Sequence, residues 1–303
     1  MIRYPIRPST WRNRVAAASR DWLDTAATRT ARFRVLGEYD EEGKSAIWSK
    51  IKRVYMELQG YKCGFCERRL EKSQFGNIEH DVEHFRPKKS VKVWPTSKQR
   101  RDRSITVDQE LNLSLGGAAD PGYFWLAYHI ENYLISCKTC NSTLKSNSFP
   151  VARNRRQVNE GTDSPRQLKN EKPYLIYPIG AVDTDPERLI KFEGIVPVPV
   201  ATRGHSHARA RVTIDFFELD TREVLLEERA ETILALHVAL ASTNDPNDDT
   251  AGAAQLLVDR LTSDAAPHAN CARCHRTLAA TDPDRANEYA AAAIAMLRGL
   301  SGG

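Results

Sequence analysis

The sequence lacks any long hydrophobic run. No stretch of its 303 residues approaches the ~20 consecutive apolar residues that a membrane-spanning helix requires. Residues 1–5 also lack the apolar core of a secretory signal peptide. Because hydrophobic residues still make up 41% of the chain, a packed core is expected and global disorder is excluded. These features predict a cytoplasmic protein without a membrane partner, built as one large domain or two modest ones.

Strong charge of either sign is also lacking over the chain as a whole. Forty-four Lys and Arg residues stand against 39 Asp and Glu residues, which gives a net charge of +5. A local exception runs from Arg86 to Arg103, where eight basic residues stand against the single acid Asp102. This segment suits a polyanionic substrate, although a solvated loop with no binding role predicts the same charge pattern.

Cysteine is sparse, and all of its copies fall into CxxC pairs. The three pairs are Cys63/Cys66, Cys137/Cys140 and Cys271/Cys274. In a cytosolic chain this spacing favours metal binding over disulfides, because two intervening residues let both sulfurs reach one tetrahedral ion. We predict that the first two pairs together bind one structural Zn²⁺, since four sulfurs leave no coordination position open for a substrate. Two unrelated reduced pairs are the alternative.

The third pair is followed by His275, which completes the CxxCH spacing of c-type haem attachment. Because nothing in the sequence indicates export, we reject haem. Two interpretations stay open: a second zinc site that includes His268 or His275, and a reduced pair that binds no metal.

Residues 77–85 alternate in the manner of a β-strand. One face carries Ile78, His80, Val82 and His84, and the other carries Glu79, Asp81 and Glu83. Unpaired charge is costly to bury, so these groups are expected to meet a metal, each other or water. Phosphodiester hydrolysis needs a base and a cation. His84 could provide the base, and the adjacent Glu83 could bind the cation. A polar strand without catalysis is the alternative, but the position between the zinc pairs favours chemistry.

Periodicity elsewhere predicts an α+β fold that is mostly helical. Helices are predicted over residues 10–30, 44–58, 207–219, 220–242, 255–261 and 284–300, with a short helix from about Lys138. Strands are predicted over 175–178, 188–192 and 195–200, a turn over 71–76, a loop over 88–120 and a buried aromatic run over 123–128. The predicted segments are an N-terminal helical extension (1–44), a metal-binding core (45–150), a strand and helix extension (151–242) and a helical C-terminal region (243–303).

The order of the motifs resembles a known family. The order is a CxxC pair, then Glu83-His84-Phe85-Arg86-Pro87-Lys88, then Asn132-x4-CxxC-Asn141-x3-Lys145. It resembles the HNH endonucleases, also called the ββα-metal or His-Me finger group, in their zinc-braced form. Within that group it is similar to the HNH subunit of Septu and retron-associated anti-phage defence systems, which share Phe149-Pro150, residues 175–178 and residues 213–215. The match covers residues 45–150, weakens to about residue 235, and omits both chain ends.

The resemblance implies a role for each of these residues. His84 would be the general base, and Asn132 would orient the loop that carries it. Glu83 and Asn141 would bind the catalytic Mg²⁺ or Mn²⁺, with Asn141 in the place of the motif's final His. Contacts with nucleic acid would come from Arg86, Lys88, Lys89, Lys92 and Lys145.

His80 is an alternative to His84, because it also follows a Glu and shares a strand face with His84. The Phe-x-Pro-Lys context after His84 matches the family motif. We therefore predict His84 as the base, with His80 as a residue that could assist it.

Taken together, the resemblance implies a metal-dependent endonuclease that cleaves nucleic acid and works with a partner ATPase. DNA is favoured over RNA, although the motif acts on the backbone and reads no bases. The alternative is a non-catalytic zinc-knuckle protein that binds nucleic acid or a partner. The missing final His supports that alternative, whereas Asn132 and the run from Glu83 to Lys88 argue against it.

Overall fold

The computed structural model describes residues 1–40, 46–72, 79–158, 162–244 and 249–300. Its α-helices are α1 (Pro8–Ala18), α2 (Trp22–Leu36), α3 (Lys52–Leu58), α4 (Ser97–Arg103), α5 (Val107–Glu110), α6 (Gly204–Phe217), α7 (Glu223–Asn244), α8 (Ala251–Thr262), α9 (Ala269–Thr281) and α10 (Pro283–Leu300). Its strands are β1 (His80–His84), β2 (Tyr133–Cys137), β3 (Ile190–Glu193) and β4 (Val196–Pro199). A π-helix spans Thr139–Lys145, and 3-10 helices span Ile47–Ile51, Phe124–Leu126, Ile130–Asn132, Pro165–Glu171 and Pro186–Arg188. The described chain is mostly helical with two small antiparallel sheets, which confirms the α+β class.

The first sheet pairs β1 with β2 in antiparallel register. His80 lies opposite Cys137, and His84 lies opposite Tyr133. All of β2 is buried, and the chain passes from β2 almost directly into the π-helix, where sequence reasoning predicts a short helix. The predicted strand over residues 77–85 is confirmed from His80 to His84. Residues 77 and 78, and most of the predicted turn over 71–76, lie outside the described residues.

An aromatic cluster joins the N-terminal helices to β2. The ring of Tyr133 lies 6.2 Å from that of Trp22 and 5.8 Å from that of Tyr55, edge-on in both cases. Tyr55 in turn meets Trp11 of α1 edge-on at 5.9 Å. Each such pair contributes about 0.5–1.5 kcal/mol beyond the area that it buries. The N-terminal helices are therefore part of the support for β2.

One large hydrophobic cluster contains residues from Met1 to Ala293. It includes the aromatic run 123–128, whose burial agrees with the prediction. All four predicted segments contribute to this cluster, and their boundaries stay a prediction. In the part of the chain that the structure describes, no helix combines the length and the apolar character that crossing a membrane requires.

Some elements differ from the prediction for local reasons. Residues 10–30 form two helices, because α1 ends at Ala18 before α2 begins at Trp22. The basic loop 88–120 contains α4 and α5, and α4 begins with a capping box that the loop prediction overlooked. Residues 175–178 belong to no strand, and the Pro178 carbonyl instead accepts a hydrogen bond from the Tyr4 amide.

Helix α9 is absent from the sequence prediction. Its Cys271 and His275 lie four residues apart and are both buried, which is the spacing of one helix face. The CxxCH spacing pointed to a metal motif and so concealed this periodicity.

The chain returns very close to its own backbone after β1. A Cβ on Gly122 would lie 1.6 Å from the Lys89 carbonyl oxygen and 2.7 Å from that of Pro87. The neighbouring Tyr123 amide donates to the same Pro87 carbonyl at 2.8 Å. Only glycine fits this approach, because any side chain would displace backbone.

We expect Gly122→Ala to lower the free energy of unfolding by about 1–3 kcal/mol, since the added methyl forces a backbone shift. Urea denaturation measures this change. Gly117→Ala is the matched control, because a Cβ there meets no atom within 4 Å. Its effect should stay below about 1 kcal/mol, and equal effects of both substitutions would contradict the close approach.

Candidate functional site

The first two CxxC pairs meet in the fold. Their four Sγ atoms lie within 4.8 Å of one another, and all four residues are buried. The sulfurs of Cys66 and Cys137 are 3.9 Å apart. Four Zn–S bonds of about 2.3 Å in a tetrahedron would place the sulfurs ~3.8 Å apart, so the cluster fits a zinc ion. The predicted gathering of Cys63, Cys66, Cys137 and Cys140 is confirmed.

Polar groups around the sulfurs favour thiolates. Arg222 Nη1 lies 3.3 Å from Cys140 Sγ, and the Cys140 amide donates to Cys137 Sγ at 3.5 Å. Burial raises the pKa of the Cys140 thiol, so a thiolate there needs a nearby cation. Burial also opposes the charge of Arg222, but the adjacent Cys140 and Cys66 raise its pKa overall. Sequence reasoning missed the contact of Arg222 with the sulfurs, because Arg222 follows Cys140 by 82 residues in the chain.

His84 lies at the end of β1 with its ring largely enclosed. The ring packs edge-on against Trp48 at 4.8 Å and Tyr133 at 5.1 Å, and His84 is 8% exposed. Its Nε2 lies 3.1 Å from the Ala127 carbonyl oxygen, which can only accept, so Nε2 donates and Nδ1 keeps its lone pair. Burial, and then the charge of Lys88, lower the pKa of His84 well below its ordinary value. The imidazole is therefore neutral at physiological pH and able to accept a proton.

Asn132 connects the segment after His84 to the loop that precedes β2. Its buried amide accepts a hydrogen bond from the Arg86 amide at 2.8 Å and donates to the carbonyls of Arg86 and Leu126 at 3.0 and 3.1 Å. Leu126 is the neighbour of Ala127, whose carbonyl holds the His84 ring. Asn132 thus ties together the two segments that orient this ring.

Glu83 and Lys145 form a buried ion pair. The Lys145 ammonium lies 2.5 Å from Glu83 Oε1 and donates to the His84 carbonyl at 3.1 Å. Burial raises the pKa of Glu83, and Lys145 opposes that rise. The sequence prediction placed Lys145 on nucleic acid, but its side chain is fully buried and serves Glu83 instead. Lys145 is therefore withdrawn from the substrate-binding set.

Asn141 contacts Asp81 rather than Glu83. Its Nδ2 lies 3.1 Å from Asp81 Oδ2, which also receives the Lys138 ammonium at 3.4 Å. Because Nδ2 is the donor, the Oδ1 of Asn141 is the atom that could ligate a cation. Carboxylate and amide oxygens suit Mg²⁺ or Mn²⁺, so the donor chemistry on this side of β1 fits a hard divalent ion. Sequence reasoning did not include Asp81 in the site, although its alternation with Glu83 places both on one strand face.

Arg86 is an interior residue in this fold. Its guanidinium pairs with the buried Glu171, donates to the Leu168 carbonyl at 3.2 Å, and lies over the rings of Tyr123 and Phe149 at 5.0 and 4.8 Å. Arg86 is 2% exposed. The structure gives the Arg86 guanidinium a buried carboxylate partner and almost no exposed surface, which argues against the predicted contact of Arg86 with nucleic acid.

The remaining predicted lysines lie nearer the surface. Lys88 is half-buried, with its ammonium 4.7 Å from the Trp48 ring centre and 5.1 Å from that of Tyr39. Lys89 and Lys92 are exposed. Since Trp48 also packs on His84, Lys88 lies near the imidazole.

His80 lies at the opposite end of β1 from His84, about 13 Å away at 3.3 Å per residue. Its Nε2 lies 2.9 Å from the Glu71 carbonyl oxygen, and its ring meets Tyr61 edge-on at 6.2 Å. The structure does not bring His80 and His84 into one site.

The third CxxC pair lies on α9 without a metal-binding arrangement. The two histidines that could complete a second zinc site have other partners: His268 lies 2.8 Å from Glu228, and His275 lies 3.3 Å from His237. Among the described residues, the four-cysteine cluster is the one group of three or more such side chains with metal-ligand spacing. The structure favours the reduced pair.

We expect about one zinc per chain by metal analysis of the purified protein, since four thiolates suit one tetrahedral Zn²⁺. The double substitution Cys63→Ser and Cys137→Ser should remove this zinc and destabilise the fold, because metal binding contributes folding free energy. The matched control, Cys271→Ser with Cys274→Ser, should retain it. If the wild-type chain held two zinc ions and the control lost one of them, the Cys271/Cys274 pair would be a second metal site after all.

Comparison with known proteins gives one weak relationship. The chain is 27% identical over 183 residues to Septu protein PtuB of Bacillus mycoides (strain KBAB4). The match covers 60% of this chain and 50% of that protein, so the chain spans about half the length of the curated relative. No family model matches the chain, and no solved structure matches it.

Proposed function

We propose that this chain is a metal-dependent HNH endonuclease, and the placement of His84 carries the proposal. The neutral imidazole ends β1 of a β–β–helix unit, and its Nε2 is held by a backbone carbonyl. Four gathered cysteines border the same unit, because β2 ends at Cys137. A neutral histidine held in one tautomer is what a general base for hydrolysis needs.

In the proposed reaction, His84 Nδ1 takes a proton from a water molecule that attacks the phosphorus. The hydrogen bond from Nε2 to Ala127 leaves Nδ1 as the accepting atom, and Trp48 with Tyr133 prevents the ring from turning. General-base catalysis of this kind contributes about 10²–10⁴-fold in rate. Asn132 acts as a positioning residue, because it holds the loop rather than the substrate.

A divalent cation, when bound, would stabilise negative charge on the phosphate and the leaving oxygen. The chain offers Glu83, Asp81 and Asn141 Oδ1 as oxygen donors beside the π-helix. Lys145 already places a positive charge on Glu83. We infer that the cation binds toward Asp81 and Asn141, with Glu83 shared between it and Lys145.

Nucleic acid is the proposed substrate, with DNA favoured over RNA. Lys88 supplies positive charge near His84, and the exposed Lys89 and Lys92 add positive charge to the same chain segment. Phosphate contacts of this kind hold a backbone without reading bases. Arg86 and Lys145 take no part in this surface.

The biological setting proposed is anti-phage defence together with a partner ATPase. The similarity to Septu protein PtuB supports the setting, and it agrees with the motif resemblance between residues 45 and 150. Cleavage by the isolated chain and cleavage by its complex with the ATPase must therefore be measured separately.

A non-catalytic zinc-knuckle protein is the second candidate, and one observation favours it. Glu83 is neutralised by Lys145, and the His84 ring is mostly covered, as in a purely structural polar core. Such a protein would bind nucleic acid or a partner through the same surface, yet would need no divalent ion.

We expect His84→Ala to lower the cleavage rate at least 100-fold, because the water then has no base. The assay uses plasmid DNA and RNA with Mg²⁺ or Mn²⁺, with and without EDTA, on the isolated chain and on the complex co-purified from the native operon. Zinc content and unfolding free energy are measured alongside to confirm the fold.

The wild-type rate should also persist below pH 6.5, because the lowered pKa of His84 delays its protonation as pH falls.

His80→Ala is the matched control, because His80 lies on the same strand face but outside the site. It should cleave at close to the wild-type rate. Undiminished cleavage by His84→Ala would remove this residue from the mechanism, and a wild-type complex that never cleaves would favour the zinc-knuckle candidate.

We expect Lys145→Met to lower the free energy of unfolding by about 3–5 kcal/mol, because it leaves Glu83 charged, buried and unpaired. Adding Glu83→Gln should recover much of that loss, since no buried charge then lacks a partner. Urea denaturation of both single variants and the double variant gives the coupling energy. Additive effects of the two substitutions would show that the ion pair does not stabilise the site.

A further inference from the structure

A cavity of about 290 Å³ borders the segment that follows His84. Its apolar wall consists of Phe85, Pro165, Pro173, Tyr177 and Val182. This volume is at the lower end of the roughly 300–1,000 Å³ typical of ligand pockets. The cavity has room for one small molecule and excludes a nucleic-acid duplex.

The polar part of the wall carries net positive charge. Among the lining residues, Asp183 is the acid, and its carboxylate receives Arg209 Nη1 at 3.0 Å and Nη2 at 2.5 Å. The lining Arg86 is likewise neutralised by Glu171. Lys169 and Lys172 also line the cavity, and neither forms an ion pair with a carboxylate in the described part of the chain. Two lysine charges thus border the cavity without an ion-pair partner in the described part of the chain.

Arg209 is the buried guanidinium of the cavity wall. The residue is 6% exposed, and its Nη2 also donates to the Leu175 carbonyl at 3.0 Å. Its buried Nε has no hydrogen-bond partner in the described structure. This Nε has almost no accessible surface, and both terminal nitrogens of Arg209 are engaged by Asp183. The positive charge available to a ligand in the cavity is therefore that of the two lysines.

We propose that this cavity binds a nucleoside monophosphate unit, with the phosphate on Lys169 and Lys172 and the base against the apolar wall. Charge-assisted bonds from lysine suit phosphate oxygens, and the rings of Phe85 and Tyr177 suit a planar base. A free nucleotide and the terminal nucleotide of a chain share this chemistry. The proposal goes beyond nuclease activity and does not depend on it.

His205 adds a neutral ring to the cavity wall. Burial lowers the pKa of His205 to about 4, with Arg209 and Lys172 adding to the effect. The imidazole therefore brings no charge at physiological pH and can lie against a base.

A ligand in the cavity would restrict the motion of the residues at the end of β1. Phe85 lines the cavity and donates its amide to the Asn132 carbonyl at 2.8 Å. Lys169 belongs to the 3-10 helix Pro165–Glu171, which also carries the partner of Arg86. A bound nucleotide would thus contact Phe85 directly and the 3-10 helix that pairs with Arg86 through Lys169.

Titration calorimetry of the full chain with AMP, with inorganic phosphate and with a 5′-phosphorylated oligonucleotide tests the proposal. AMP should bind at least about tenfold more tightly than phosphate, because the base adds contacts. Lys169→Gln with Lys172→Gln should weaken AMP binding about 100-fold, roughly tenfold for each lost ammonium. Displacement of AMP by the oligonucleotide would identify a chain end as the source, and failure to displace it would identify a free nucleotide.

The matched control is Lys191→Gln with Arg276→Gln, which removes two positive charges outside the cavity lining. AMP affinity should be unchanged in this control. The proposal is overturned if AMP binds no more tightly than phosphate, or if the two double variants weaken binding equally. Because binding needs no cleavage, the His84→Ala chain should bind AMP as the wild type does, which separates this proposal from the nuclease.

Discussion

The centre of this molecule depends on four buried sulfur atoms drawn to within 4.8 Å of one another. They come from two turns with 70 residues between Cys66 and Cys137, and closing such a loop costs chain entropy that a shared cation offsets. Cys137 is also the last residue of β2 and the partner of His80 in the strand register. The sulfurs therefore fix where β2 ends, and through the antiparallel pairing they fix the position of His84 opposite Tyr133.

Two buried ion pairs lie at the end of β1. Glu83 meets Lys145, and Arg86 meets Glu171, so neither carboxylate nor cation is left alone in a medium that penalises isolated charge. Breaking either pair would cost more than the pair itself contributes, which makes the segment from residue 83 to residue 86 rigid. That rigidity holds the His84 carbonyl and ring in place, because Lys145 bonds the carbonyl and Asn132 bonds the next turn.

The same short segment separates the proposed catalytic site from the proposed nucleotide cavity. His84 faces Trp48 and Ala127 on one side, whereas Phe85 and Arg86 line the cavity on the other. Alternation along an extended chain sends neighbouring side chains to opposite sides, so adjacent residues can serve two sites. Positive charge lies at both sites, with Lys88 near the first and Lys169 and Lys172 at the second.

Local patterns were sufficient for the CxxC pairs, the strand that includes residues 80–84, the aromatic core run and the mostly helical class, because each depends on spacing within a few residues. The sharing of one cluster by two pairs 70 residues apart followed instead from the preference of structural zinc for four sulfurs. They failed where the outcome depends on partners distant in the chain. A basic residue such as Arg86 or Lys145 looks the same in sequence whether it meets phosphate or a buried carboxylate, and only packing placed Glu171 and Glu83 beside them. Arg222 at the sulfurs and the cavity around Arg209 likewise arise from long-range contacts that no local motif records.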